Sequence, residues 1–303
     1  MHRLLILSKH ADAYRRLVDA AQLPDLAIAS DESSCDVVLG EPSLIAPAIM
    51  RLASVRWVQS TWAGVEPLLD PALRRDYTLT NARGVFGGLM SEYVFAYVLA
   101  RERRLLEKHA SQRERRWDPA PPGTLRGKTL GLLGVGSIGA ALAKTAKQFA
   151  MHVKGYTRSG EGSPDVDEYF HGDARDAFAR DIDYLVAVMP NTSATRRLVD
   201  ASLLAALPSR AVFINPGRGS TVDEAALADA LQAGRLAGAV LDVFEREPLP
   251  ADHVFWTLPN VIITSHTAAL SAPEDIAPVF IDNYRRFGAG APLRYVVNFA
   301  AEY

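Results

Sequence analysis

The 303 residues are 49% hydrophobic and 22% charged, enough apolar material for two domains and too much for a disordered or fibrous chain. A formal net charge of −2 leaves no strong field of either sign, so neither nucleic acid nor an anionic membrane is the expected partner, and a small molecule is. Cys35 is the one cysteine, which excludes an internal disulfide and a thiolate cluster within one chain, and the sequence calls for no metal.

The first apolar run, Leu4 to Leu7, is too short for a signal-peptide core or a membrane span and reads as a buried strand, so the cytoplasm is the expected location. Further short apolar runs follow at Asp36–Leu39 and Val55–Gln59, with helical or loop segments between them, the rhythm of parallel α/β structure. A helix-compatible stretch from about Ser91 to Arg116 ends at Trp117-Asp118-Pro119-Ala120-Pro121-Pro122-Gly123, where prolines and glycine break it and a domain crossing is expected. A more regular series comes next: Leu130–Leu133, His152–Tyr156, Tyr184–Met189, Ala211–Asn215, Gly238–Asp242 and Val261–Ser265, six strands of a doubly wound sheet. The helical pattern Pro273 to Phe287 then leads to a tail, Tyr295–Phe299, which has no element of that sheet left to complete and is expected to return to the first domain.

Gly134-Val135-Gly136-Ser137-Ile138-Gly139 follows the strand Thr129–Leu133 and opens a helix, Ala140 to Phe149. In that setting Gly134 makes a tight turn, Gly136 lets backbone approach a pyrophosphate, and Gly139 allows helix and strand to touch, so the diphosphate of a dinucleotide would rest on the helix N-terminus. The next strand ends at Thr157-Arg158-Ser159, about 20 residues on, where an NAD-preferring fold presents an acid to the ribose hydroxyls. Thr157 is neutral and Arg158 offers a planar cation to a 2′-phosphate, so NADP(H) is the preferred cofactor and NAD(H) the second choice.

Four polar signals fall at successive strand ends: Met189-Pro190-Asn191-Thr192, Asn215-Pro216-Gly217-Arg218-Gly219-Ser220, Asp242, and His266 after Thr264-Ser265. Arg218, between glycines, is suited to grip a carboxylate with two parallel hydrogen bonds and to polarise a carbonyl. Thr221-Val222-Asp223-Glu224 after it starts a helix that should end near Gly234. His266 is suited to passing a proton to a carbonyl oxygen. Its partner would be Glu247 or Glu245, between which spacing does not choose.

These motifs resemble the D-isomer-specific 2-hydroxyacid dehydrogenases over nearly the whole chain, through the glycine turn, Asn215–Gly219 with Val222-Asp223-Glu224, Leu241–Pro250 and Thr264–Ala268. The resemblance implies two Rossmann-like or flavodoxin-like α/β domains with parallel sheets and the active site in the interdomain cleft. It divides the chain into a substrate-binding domain, residues 1–95 plus 274–303, and a dinucleotide-binding domain, 96–273. It implies a catalytic set of Arg218, Glu247 rather than Glu245, and His266, and cofactor binding by Gly134, Gly136, Ser137, Ile138, Gly139, Thr157, Arg158, Ser159, Pro190, Thr195 and Asp242, the last against the nicotinamide amide. Trp62-Ala63-Gly64 looks like the family's substrate-carboxylate loop, with a tryptophan where a small residue is common and Glu66 in place of the usual aspartate. The missing ribose acid and the Arg158-Ser159 pair look most like the glyoxylate/hydroxypyruvate reductase branch, and a homodimer through the nucleotide domains is implied. The alternatives are a 3-phosphoglycerate dehydrogenase-like enzyme, with Arg83 as the additional cation, and a nicotinamide-sensing corepressor-type binding protein.

Overall fold

The structure, a computed structural model, describes residues 1–303 except Ser33, Ser34 and Ser159. It divides into two compact units, Met1–Val85 with Leu270–Tyr303, and Phe86–Ala269.

The first unit is built on a parallel sheet of five strands, β1 (His2–Leu7), β2 (Leu26–Ile28), β3 (Val37–Gly40), β4 (Trp57–Ser60) and β5 (Thr78–Thr80), in the order β2-β1-β3-β4-β5. That is the flavodoxin-like order. Helices α1 (Ala11–Ala20) and α9 (Pro273–Gly288) pack together, and the Trp57 ring stacks on Phe280 of α9 with centroids 5.3 Å apart. The tail runs antiparallel beside β5: the Val297 amide donates to the Leu79 carbonyl at 2.8 Å, and the Val297 side chain is buried in this unit's core.

The second unit holds a seven-stranded parallel sheet: β6 (Thr129–Leu133), β7 (His152–Tyr156), β8 (Glu168–Phe170), β9 (Tyr184–Ala187), β10 (Val212–Asn215), β11 (Gly238–Leu241) and β12 (Val261–Ile263). The order β12-β11-β10-β9-β6-β7-β8 is the Rossmann arrangement with one strand added, and the order reverses between β6 and β9. Side chains alternate across this sheet as the two-residue period requires. Tyr184 and Val186 join one core with Val212 and Ile214, while Leu185 and Ala187 join the opposite core with Phe213 and Leu241. The first core is covered by α3 (Gly87–Glu102) and α5 (Ser137–Gln148), through Val94, Phe95, Val98, Leu142, Ala143 and Ala146. The second takes residues of α6 (Arg175–Ala179), α7 (Ala201–Ala206) and α8 (Glu224–Gln232).

Three expectations are corrected here. The long helix is two, α3 and α4 (Leu105–Arg113), because Arg104 adopts a left-handed conformation with φ 54°. Neither residue 95/96 nor the 117–123 segment divides the units. A cut at 95 would split α3, whose apolar residues are buried against α5, so the whole helix belongs to the second unit. The second sheet has seven strands rather than six, and β2, β5 and β8 are each three residues long. No helix among the described residues is long and apolar enough to cross a membrane.

Candidate active site

The glycine turn after β6 has the shape its chemistry needs. Gly134 has φ +96°, which L side chains rarely adopt, and its amide donates to the Tyr156 carbonyl at 2.9 Å. A Cβ on Gly139 would stand 2.3 Å from the Gly134 carbonyl oxygen, so helix and strand can approach only without one. A Cβ on Gly136 would meet nothing within 4 Å, which leaves the backbone approachable. No side chain caps α5 at Gly136, and the first amides of that helix, including those of Ser137, Ile138 and Gly139, have no carbonyl within the helix to satisfy them. A turn with open space over Gly136 and uncapped amides fits a dinucleotide diphosphate.

Beyond β7, the Thr157 hydroxyl donates to the Gly160 carbonyl at 2.8 Å and lies 3.0 Å from His171 Nδ1. Arg158 is exposed beside it, and Ser159 lies outside the described residues. The segment then folds back on the glycine turn, where a Cβ on Gly162 would be 3.0 Å from the Val135 carbonyl oxygen. Thr195 is tied into its own loop: its hydroxyl donates to the Pro190 carbonyl at 2.7 Å and accepts from the Thr192 amide at 2.9 Å.

Arg218 is half-buried just past β10. Its flanking glycines are required by close backbone contact: a Cβ on Gly217 would lie 2.7 Å from the Ala187 carbonyl oxygen, and one on Gly219 1.9 Å from the Phe244 carbonyl carbon. The Arg218 carbonyl accepts from Asn215 Nδ2 at 3.0 Å and from the Thr221 hydroxyl at 2.7 Å, which fixes the turn from behind. Asp223 caps α8 by accepting from the Ala226 amide at 3.0 Å.

His266 and Glu247 are brought together. His266 Nδ1 lies 2.8 Å from a Glu247 carboxylate oxygen, and the other oxygen of that carboxylate accepts from the Phe244 amide at 3.0 Å. Glu245 is committed elsewhere, to Arg196 at 3.1 Å and Arg197 at 3.6 Å. The geometry thus separates two carboxylates that the spacing leaves equivalent.

Asp242 directly follows β11. It has no exposed surface, and its two oxygens accept from the amides of Thr267 at 2.9 Å and Ala268 at 3.0 Å and from the Thr264 hydroxyl. The Asp242 carbonyl accepts from the His266 amide at 2.8 Å. A buried carboxylate needs such donors, and here they bind the turn that carries His266 in a left-handed conformation, φ 54°. Sequence reasoning missed the next link, Tyr93 of α3, whose hydroxyl lies 2.8 Å from Thr264 Oγ1. Burial pushes the Tyr93 phenol far above its ordinary range and nearby Asp242 adds to this, outweighing the opposing bond to Thr264; Tyr97 is raised by the same two causes.

In the first unit, the Trp62 carbonyl accepts from the Ser60 hydroxyl at 2.9 Å and the Ala82 amide at 3.0 Å, and the Ala63 carbonyl from Asn81 Nδ2 at 2.8 Å. Gly64 is half-buried and Trp62 partly exposed.

Comparison with known proteins agrees with this geometry. Residues 95–268 match the family model described as D-isomer specific 2-hydroxyacid dehydrogenase, NAD binding domain. A glyoxylate/hydroxypyruvate reductase A from Serratia proteamaculans is 35% identical over 245 residues, 78% of each chain. A D-isomer specific 2-hydroxyacid dehydrogenase family protein from Aeromonas salmonicida superposes with a TM-score of 0.92 at 42% identity, over 98% of this chain and 99% of that one. An NADPH-dependent glyoxylate/hydroxypyruvate reductase from Sinorhizobium meliloti, solved with NADP and sulfate, gives 0.88 at 29% identity over all of both chains. With its glycine turn, its histidine–glutamate pair and its Rossmann strand order, the chain belongs to the D-isomer-specific 2-hydroxyacid dehydrogenase family.

Proposed function

We propose that this protein is a cytoplasmic, NADPH-preferring reductase of small 2-oxo acids of the glyoxylate and hydroxypyruvate class. The observation that carries this is the His266–Glu247 pair at 2.8 Å, at the same sheet edge as the half-buried Arg218. The relatives named glyoxylate/hydroxypyruvate reductase and the neighbour solved with NADP support the substrate and cofactor classes.

The chemistry follows from the hydrogen bonds. An ionised Glu247 can only accept, so His266 Nδ1 carries a hydrogen and Nε2 is left as the position that delivers a proton. Glu247 is a positioning residue, holding the ring by one oxygen while the Phe244 amide holds the other. Arg218 binds the substrate carboxylate and draws charge onto the carbonyl oxygen, which takes the proton from His266 as an alcohol forms. The nicotinamide supplies the hydride when bound. Gly134, Gly136 and the first amides of α5, at Ser137, Ile138 and Gly139, would hold the diphosphate, and Thr157 and Arg158 would read the adenosine ribose. Pro190 and Thr195 border the cofactor through the loop they close, and Asp242 acts through the turn it holds. Trp62-Ala63-Gly64 enters the reading as a substrate-binding turn, for which Trp62→Ala should raise the substrate KM.

The homodimer belongs to the same reading. In the second unit Trp117 is 90% exposed and Leu105 and Leu106 are 58% and 60% exposed, an apolar set at and beyond α4 that a second copy would cover. Trp117→Asp should then shift the species seen by light scattering toward the monomer.

The test of the function is initial rates with a panel of 2-oxo acids, each with NADPH and NADH. Turnover of glyoxylate or hydroxypyruvate with NADPH is expected; cofactor binding without turnover of any 2-oxo acid would overturn the enzyme reading.

A further inference from the structure

An imidazole stands beside Thr157 that the reading above does not use. His171 directly follows β8, and its Nδ1 lies 3.0 Å from the Thr157 hydroxyl and 3.0 Å from the Thr157 carbonyl oxygen. A carbonyl only accepts, so Nδ1 must carry the hydrogen. The Thr157 hydroxyl gives its single proton to the Gly160 carbonyl at 2.8 Å, so it too can only accept from the ring. Two bonds therefore select one tautomer. The Tyr169 ring lies nearly parallel to the imidazole, at 10° and a centroid distance of 6.4 Å.

The consequence concerns Nε2, which has no hydrogen-bond partner among the described residues. With Nδ1 protonated, a neutral ring presents a lone pair at Nε2, and only the imidazolium presents a hydrogen there. A lone pair accepts from a hydroxyl and repels a phosphate oxygen; an N–H on a cation donates strongly to a charged phosphate oxygen and only weakly to a neutral hydroxyl. We propose that His171 is a second group reading the 2′ position of the adenosine ribose, so that cofactor choice depends on pH: the 2′-phosphate is favoured on the acid side and the 2′-hydroxyl on the alkaline side. This rests on the reading that places the ribose at Thr157 and Arg158.

The charged and titratable groups on the surrounding elements are His152, Lys154 and Tyr156 of β7, Arg158, Glu161, Asp165 and Asp167 of the following loop, Glu168 and Tyr169 of β8, and Asp173 and Arg175 beyond His171; His152 is itself paired with Glu168 at 2.6 Å. Burial raises the Tyr156 phenol, which keeps it neutral. Of the side-chain types present, imidazole is the one whose ordinary chemistry changes charge between about pH 5 and 8. The phosphate's own second ionisation, near about pH 6, works in the opposite direction by removing charge in acid. Wild type and variant must therefore be compared at matched pH.

Equilibrium titration of NADPH and NADH, followed by nicotinamide fluorescence, measures this without turnover. Between about pH 6 and about pH 8.5 the wild-type preference for NADPH should fall roughly tenfold, the scale of one charged hydrogen bond, and His171→Gln should not show that fall. The same pH dependence in both proteins overturns the proposal. If the pH dependence is confined to wild type but NADH binds better throughout, the role of His171 stands and the NADP(H) preference is what fails. Nitrogen NMR of the ring gives an answer independent of the variant's folding. At one pH, imidazolium is expected in the NADPH complex and the neutral Nδ1–H form in the NADH complex; one form in both complexes overturns the proposal.

Discussion

The turn that carries His266 and the turn that carries Thr157 both leave the carboxyl edge of one parallel sheet, but they are secured differently. Around His266, the amides of Thr264, His266, Thr267 and Ala268 are all taken up by Leu241 and Asp242 at 2.8 to 3.0 Å, and a buried carboxylate sits at the centre. Around Thr157, one backbone bond to Phe170 at 3.0 Å is followed by contacts that depend on a hydroxyl and an imidazole. The difference matches the work proposed for each. A proton donor has to be placed to within a fraction of an ångström of its acceptor, whereas a group that discriminates two ribose substituents works by charge and by which atom carries a hydrogen.

The comparison breaks first at His266. His266→Gln retains a hydrogen-bonding side chain but no acid, so the reduction rate should fall by about 100- to 10,000-fold, while NADPH affinity measured by fluorescence stays within error of wild type. A matching loss of NADPH affinity would mean that the two turns are not independent. Arg218→Lys comes next. The charge remains and the planar fork is lost, so kcat/KM for the 2-oxo acid should drop by about 1.5–3 kcal/mol, roughly 10- to 150-fold, with the change carried by substrate and not by cofactor. Unchanged kcat/KM would remove Arg218 from the site.

Much of the His266 turn was legible in the sequence because it is short-range. Asn215, Arg218, Asp242 and His266 stand at or just past the ends of the short apolar strands β10, β11 and β12, and strand ends are where open α/β sheets bind ligands. What sets Glu247 apart from Glu245 is three-dimensional: Arg196 and Arg197 occupy Glu245, and no sequence period links positions 196 and 245. The inward orientation of Asp242 was hidden for a similar reason, since the amides that satisfy it come from the next strand's exit, 25 and 26 residues away. Strands β2, β5 and β8 escaped because three residues show no period and, unlike β12 with its Val261-Ile262-Ile263, they carry no run of branched apolar residues, and the α3–α4 break because it rests on a left-handed Arg104 where no glycine or proline announces it. The divide between the units was misplaced because the Trp117–Gly123 segment, rich in turn residues, resembles a linker while its backbone remains tied to the second unit. There, the Gly123 amide donates to the Glu102 carbonyl at 2.8 Å.

Asp242→Asn tests whether the carboxylate holds the turn. One acceptor oxygen becomes an NH2 group facing donors already present, so at least one buried amide or hydroxyl loses its partner. The expected cost is about 1–3 kcal/mol of unfolding free energy, read from the urea midpoint. A midpoint equal to wild type would show that the turn does not depend on that oxygen.

The smallest expected effect belongs to Tyr93, the outermost member of the chain that runs through Thr264 to Asp242, across a sequence separation of 171 residues. Tyr93→Phe removes one hydroxyl and leaves the packing, so at neutral pH stability should fall by about 0.5–1.5 kcal/mol. The sign changes in alkali. Burial keeps the folded Tyr93 phenol protonated above the pH at which an unfolded chain's tyrosines ionise, about pH 10. Above that pH the unfolded state releases its proton and the folded state does not, so stability is lost as pH rises, and Tyr93 contributes to that loss. Phenylalanine cannot titrate. The gap between wild type and Tyr93→Phe should therefore narrow from about pH 10 upward, measured as urea midpoints at a series of pH values. A gap that stays constant across that range would mean that Tyr93 ionises in the folded turn as readily as in the unfolded chain, and that the turn is held less closely than its hydrogen bonds imply.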